Sequence, residues 1–381
     1  MARVECWQPT LLKNPAQMKL QDLLKKENNN LDIFRLIAAC MVIWGHAYAI
    51  SPEAGSVDYI GQSLGFDYSG SLAVKIFFFL SGLVVTNSLI AKGSALQFAT
   101  ARFFRIWPAL LATLLISAII VGPVTSNLAL SNYFSDSTTY QYVWNNLLLH
   151  THYKLPGVFS GNSYKDVING SLWTIPYEVA AYLILLALFL LGAFQSKILP
   201  MLVFALILLD PLFGNRFLFT WLPQNHEIDL LAPCFAFGSL LAIYKDKIEV
   251  NARMLAGAWI LAYLFKNQTF NFYFFYLALF IFILYVSHLK WVVDAKFKTD
   301  ISYGIYLWGF PVQQTLAHIF PGQSVIFNQL SAIGMSILLG FLSWHLIEKK
   351  CITLGAHTGR YISRRINPQG APHLVEQAQR I

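Results

Sequence analysis

Charge is what this 381-residue sequence has least of. Only 12% of its residues are Asp, Glu, Lys or Arg, about half the share of roughly 25% usual in globular domains. With 56% hydrophobic residues gathered into repeated apolar runs, that deficit excludes an ordinary water-soluble fold. Cysteine is scarce as well. Cys6, Cys40, Cys234 and Cys351 stand in no C-x-x-C or metal-like spacing, so neither a disulfide framework nor a zinc site is expected. His150, His152, His226, His318 and His345 also lack metal-like spacing and read as structural or surface residues. No apolar core marks the first thirty residues as a cleavable signal peptide. Internal repeats and low-complexity stretches are missing too.

What the sequence does have is about ten apolar segments, at residues 31–50, 72–91, 106–124, 169–193, 197–212, 227–244, 252–266, 270–288, 300–319 and 326–347. They predict an all-α polytopic membrane protein of about ten transmembrane helices. Cytoplasmic flanks are enriched in Lys and Arg. With the N-terminus inside, only Lys154, Lys165, Arg216 and Lys266 fall in outer loops, and Arg35 and Lys75 fall within spans. The remaining 21 of the 27 basic residues are then cytoplasmic. Both termini are therefore expected in the cytoplasm. The net charge of +8 is explained by that bias and needs no nucleic-acid partner. The domains read as a cytoplasmic segment 1–30, a membrane domain 31–348 and a loose basic tail 349–381. Within the first, Leu11–Lys26 fits either an interfacial amphipathic helix or a soluble tail. The long outer connection at 124–168 contains an aromatic stretch, Tyr142–His150, suited to a surface-lying or re-entrant helix, and loops of this length are often functional lids.

Four groups of polar residues stand out. Arg35 and His46 lie eleven residues apart in the first apolar segment. Eleven steps of about 100° bring both onto one helix face, separated by roughly 16 Å along the axis. Ionisable residues at membrane depth mark functional sites by default; the competing reading is a snorkelling arginine and a packed histidine. Asp32, one turn before Arg35, is placed to pair with it. Arg102 and Arg105, at i and i+3, are expected at the inner start of the third helix. Their guanidinium forks suit phosphates; without further context, simple positive-inside anchoring with Trp107 in an interfacial belt is the stronger reading. Glu178 is expected at a depth similar to His46, where a carboxylate orients or charge-stabilises an imidazole; the competing reading is a structural carboxylate bound to Tyr or Thr hydroxyls. Ser81 and Gly82 favour close helix packing, and no G-x-S-x-G elbow makes Ser81 a nucleophile.

Taken in order, the opening LDIFRLIAACMVIWGH, VKIFFFLSG (Val74–Gly82), RFFRIWP (Arg102–Pro108), SLWTIPYE (Ser171–Glu178), FAFGSLLA (Phe235–Ala242) and ISYGIYLWGFPV (Ile301–Val312) resemble the membrane acyltransferase-3 family. The resemblance implies a multi-pass enzyme, expected in the bacterial inner membrane, with no bound cofactor and no metal. It would transfer an acyl group, usually acetyl, from cytoplasmic acyl-CoA, here acetyl-CoA as co-substrate, to a hydroxyl of an exported or lipid-linked glycan. It assigns the essential pair to Arg35 and His46, acyl-CoA binding to Arg102 and Arg105 with Arg35, and the glutamate role to Glu178. Asp32, Ser81, Trp173 and Tyr177 are supporting candidates. Lys75 stands where many members carry an acid, and Gly309 where many carry a histidine. No soluble hydrolase-like domain is expected to follow. The competing reading is a transporter or flippase of a glycan intermediate, although the repeat symmetry of many transporters is missing.

Overall fold

The structure is a computed structural model that describes residues 17–213, 218, 226–297 and 299–366. Its longer helices are α1 (Leu31–Ile50), α2 (Ser69–Lys92), α3 (Ala95–Ile116), α4 (Ser137–Leu147), α5 (Thr174–Leu190), α6 (Ile198–Leu209), α7 (Leu231–Ile243), α8 (Ala252–Leu264), α9 (Asn271–Ser287), α10 (Ser302–Ile319), α11 (Val325–Ser343) and α12 (Lys349–Ile366). Each apolar segment of the sequence carries one of them. Among the described residues five helical stretches are long and apolar enough to cross a membrane: Leu31–Ile50, Ser69–Lys92, Ala95–Thr125, Gly170–Leu190 and Val325–Arg365. Ile198–Leu212, Ala252–Leu264 and Asn271–Ser287 are apolar but shorter. Ile119, Ile120, Leu183, Leu190, Leu206 and Leu338 are all exposed. Apolar surface of that extent is untenable in water and is the lipid-facing side of a membrane protein.

Contacts divide the chain into two units. The smaller comprises the described part of Met1–Leu31 with Tyr244–Lys296. Here β1 (Gln17–Lys19) pairs antiparallel with β2 (Glu249–Asn251), and the Asn251 side chain caps α8 by accepting from the Met254 N–H at 2.8 Å. Helices α8 and α9 pack through Ala258, Ala278 and Ile281. Residues 17–26 therefore form a strand and a single helical turn, Leu20–Leu23, rather than part of an interfacial helix. The strand exists because β2 supplies a backbone partner far away in sequence, which local periodicity cannot register. Residues 11–16 of that stretch lie outside the described residues.

The larger unit, Asp32–Ile243 with the described part of Phe297–Ile381, holds every candidate site residue. Helices α2 and α7 touch backbone to backbone at paired glycines. A Cβ on Gly82 would lie 2.1 Å from the Phe235 carbonyl oxygen, and one on Gly238 2.3 Å from that of Phe79. The Thr86 hydroxyl donates to Ser239 Oγ across this seam at 2.9 Å. Ala39 and Ile43 of α1, Ile305, Trp308, Val312 and Leu316 of α10, and Ala332 of α11 form a second seam. Gln313 Nε2 ties it together, donating to the Ile43 carbonyl at 2.8 Å and to Asn328 Oδ1 at 2.9 Å.

Helix α3 begins at Ala95, well before the expected 106, so Arg102 and Arg105 lie within it rather than at its start. Their charge had pushed those turns outside the hydropathy boundary, while the Ser94 cap, accepting from the Gln97 N–H, sets the true one. The expected loose tail is also corrected as far as Ile366. A π-turn, Trp344–Glu348, carries α11 into α12, which packs along α3.

Candidate active site

A cavity of about 1010 Å³ opens beside His46. Its walls are rich in aromatic side chains, Tyr48, Tyr68, Tyr153, Tyr164, Trp173, Tyr177 and Phe310, with Asp58 and Glu227 among the polar groups. Trp173 and Tyr177 were expected as supporting residues. The long connection contributes Leu149, Thr151, Tyr153, Tyr164 and Val167. It is anchored rather than loose: Gln314 Nε2 donates to the Tyr164 and Val167 carbonyls, both at 2.7 Å, and Asn169 Nδ2 to the Leu307 carbonyl at 2.9 Å. The aromatic stretch predicted within it forms α4, and Trp107 Nε1 donates to the Leu147 carbonyl at its end.

The His46 ring meets Phe310 edge-on, with centroids 5.1 Å apart. Among the described residues its buried Nδ1 has no hydrogen-bond partner. A buried polar atom left unsatisfied costs about 1–3 kcal/mol and calls for an explanation, of which a catalytic role is one. Other bases in the cavity are constrained. Asp58 accepts from the Ile60 N–H and from the N–H and hydroxyl of Ser69. Burial, and then the charge of Glu227, push the Tyr68 phenol well above its ordinary range, so it stays protonated and serves as a donor. Burial raises Tyr153 in the same direction.

The expected contact between Glu178 and His46 is not formed. Glu178 accepts from the Tyr182 hydroxyl one turn further along α5. Because that phenol has a single proton, Ser81 is the donor in the 2.7 Å contact between its hydroxyl and Tyr182 Oη. The Arg102 guanidinium lies over the Tyr182 ring, 5.7 Å from its centroid. Neither Glu178 nor Ser81 lines the cavity. Glu227 does, from a short turn that sequence periodicity gave no reason to single out.

Arg105 is committed elsewhere. Its guanidinium pairs with Asp300 at 2.7 Å and Glu348 at 3.3 Å. Ser343 donates to the other Glu348 oxygen at 2.8 Å. Arg35 pairs with Asp32 at 2.6 Å, as the i, i+3 spacing predicted, and also acts electrostatically on Asp300. The structure thus gathers Arg35, Asp32, Arg105, Asp300 and Glu348 into one polar network, with Arg102, Tyr182, Glu178 and Ser81 in an adjoining one. The two arginines expected to share a phosphate have different neighbours: two carboxylates for Arg105 and an aromatic face for Arg102.

Both departures from the family pattern have local causes. A Cβ on Gly309 would sit 2.6 Å from Ile43 Cγ1, so a histidine there would collide with α1. Lys75 is fully buried and donates to Asp67 at 2.6 Å and to Ser71 at 2.7 Å, so the acid comes from the preceding loop.

Comparison with known proteins agrees with these motifs. A family profile described as "Acyltransferase domain" matches residues 28–345. The chain is 28% identical over 334 residues to a protein of Shigella phage Sf6 named "O-acetyl transferase", covering 86% of this chain and 97% of that one. It is 27% identical over 357 residues to "Nodulation protein 10" of Rhizobium leguminosarum bv. viciae, covering 86% and 94% respectively. No solved structure matches it.

Proposed function

Since the chain belongs to the acyltransferase-3 family, we propose that it is a multi-pass O-acetyltransferase of the bacterial inner membrane that moves acetyl from cytoplasmic acetyl-CoA to a hydroxyl of an exported or lipid-linked glycan. The observation that carries this reading is the unpartnered Nδ1 of His46 beside a large aromatic cavity. Aromatic faces with phenol tips suit a sugar, which offers C–H faces for stacking and hydroxyls for hydrogen bonds. The name of the phage relative supports acetyl as the group transferred.

In this reading the helices form about ten spans with both termini cytoplasmic. Acetyl-CoA enters from the cytoplasm with its phosphates held by Arg102. Arg105 and Arg35 hold the surrounding frame through Asp300, Glu348 and Asp32. The thioester reaches toward His46. There the imidazole takes the acceptor hydroxyl proton as the oxygen attacks the thioester carbonyl. The tetrahedral intermediate collapses, the C–S bond breaks, and the proton passes from the imidazolium to the departing CoA thiolate. A histidine base of this kind contributes about 10²–10⁴-fold. Glu227, the carboxylate that shares the cavity, stabilises the charged imidazole, the role first expected of Glu178.

Two measurements test the reading together. Mass spectrometry of surface glycans from cells with and without the protein should show acetyl esters only in its presence. Membranes containing it should release CoA from acetyl-CoA only when acceptor glycan is added. Glycan movement across the membrane without CoA release would establish a transporter instead.

A further inference from the structure

The C-terminal helix α12 lies closely against α3, and two glycines make the approach possible. A Cβ on Gly355 would stand 2.7 Å from Phe104 Cβ, and one on Gly359 2.4 Å from Thr100 Oγ1. Further along the seam the Ser94 and Ser363 hydroxyls are 3.5 Å apart. This contact brings Arg360, next to Gly359, toward the residues where α2 ends and α3 begins. There Lys92 and Arg102 line a small niche with Ser88, Leu89 and Phe98. The Lys92 ammonium lies in the electrostatic field of both Arg102 and Arg360. Among the described residues no carboxylate pairs with any of the three. Arg102 is half-buried, whereas Lys92 and Arg360 are exposed and Arg360 Nε also donates to the Ala356 carbonyl at 3.1 Å; by contrast Arg35 has Asp32, Lys75 has Asp67, and Arg105 has Asp300 and Glu348. Three cations brought together from three helices repel one another, weakly where water reaches them, and an anion among them relieves that repulsion. Two guanidinium forks and an ammonium are the donor set of a phosphate site.

We propose that Lys92, Arg102 and Arg360 together seat the phosphates of the acyl-CoA donor, with α12 supplying the third cation. This rests on the donor assignment made above and adds Lys92 and Arg360 to it. The seat holds the nucleotide end of the donor and takes no part in the chemistry at the thioester, so it acts on donor affinity alone.

The test uses the purified full-length protein with two donors: acetyl-CoA, and S-acetylpantetheine, which has the same thioester and no phosphate. Arg360→Gln should raise KM for acetyl-CoA about tenfold, the scale of one charge-assisted phosphate contact. It should leave kcat, and KM for S-acetylpantetheine, unchanged. Arg360→Lys should lie between. Turnover of S-acetylpantetheine by the variant shows that it is folded. An unchanged KM for acetyl-CoA, or an equal rise for both donors, overturns the proposal. A parallel arm measures binding to phosphatidylcholine vesicles with and without phosphatidylglycerol. If Arg360→Gln weakens only the attachment to phosphatidylglycerol, the seat takes lipid headgroups and the proposal fails. If the wild type turns over neither donor, the donor assignment itself fails and this inference with it. If it turns over both and Arg360→Gln changes nothing, this inference alone fails.

Discussion

Replacing Arg105 by alanine removes the cation that Asp300 and Glu348 share. Glu348 is 1% exposed and would keep only the Ser343 hydroxyl, donated at 2.8 Å, among its described contacts. Breaking a buried ion pair from one side costs about 3–5 kcal/mol, because the abandoned charge remains in a poorly solvated place. At roughly 2 °C per kcal/mol for a chain of this size, the apparent Tm should fall by roughly 6–10 °C. Size-exclusion chromatography of heated, detergent-solubilised protein reads this directly. The double variant Arg105→Ala, Glu348→Gln removes the more deeply buried of the two orphaned charges as well and should recover about 1 kcal/mol or more, as coupled neighbours do. Arg102→Gln, by contrast, should leave Tm nearly unchanged and weaken acetyl-CoA binding. An unchanged Tm for Arg105→Ala, or no recovery in the double variant, would refute the assignment of Arg105 to the frame.

Other consequences can be checked with the same preparations. Gly82→Ala forces a methyl group to within 2.1 Å of the Phe235 carbonyl oxygen; the helices must separate, and Tm should drop by the equivalent of about 1–3 kcal/mol. Trp173→Ala should raise KM for the acceptor glycan several-fold, since an aromatic stacking partner is worth about 0.5–1.5 kcal/mol beyond its area, with KM for acetyl-CoA unaffected in a two-substrate assay. Glu227→Gln should lower kcat about tenfold, equivalent to ~1.4 kcal/mol of lost charge stabilisation. Glu178→Gln should act mainly on stability through Tyr182. The reverse pattern in kcat and Tm would return the imidazole's partner to Glu178.

The sequence made some of this legible and hid the rest for identifiable reasons. Helix positions followed from apolar runs, and the Arg35–Asp32 pair from a spacing of three, because both are local properties of a helix. The start of α3 was misjudged because Arg102 and Arg105 look foreign to a span until their carboxylate and aromatic partners are visible. Those partners, Asp300, Glu348 and Tyr182, come from segments distant in sequence. Glu178 was matched to His46 by depth alone, but depth says nothing about which way a side chain turns, and it turns to Tyr182. Asp58, Tyr68 and Glu227 escaped notice because they sit at turns, where no periodicity singles them out. Only the fold brings them to one cavity. Helix α12 was read as a loose basic tail because its polar face dominates its composition; the closeness of Gly355 and Gly359 to α3 shows what its other face is for.

The central claim is that His46 removes the acceptor's proton. The direct test reconstitutes wild type and His46→Ala in vesicles with labelled acetyl-CoA and acceptor glycan and measures acetyl ester formed per enzyme, with acetyl-CoA binding measured in parallel. The account predicts a loss of about 10²–10⁴-fold in acceptor-dependent transfer with donor binding retained. Equal rates of transfer from the two proteins would contradict it.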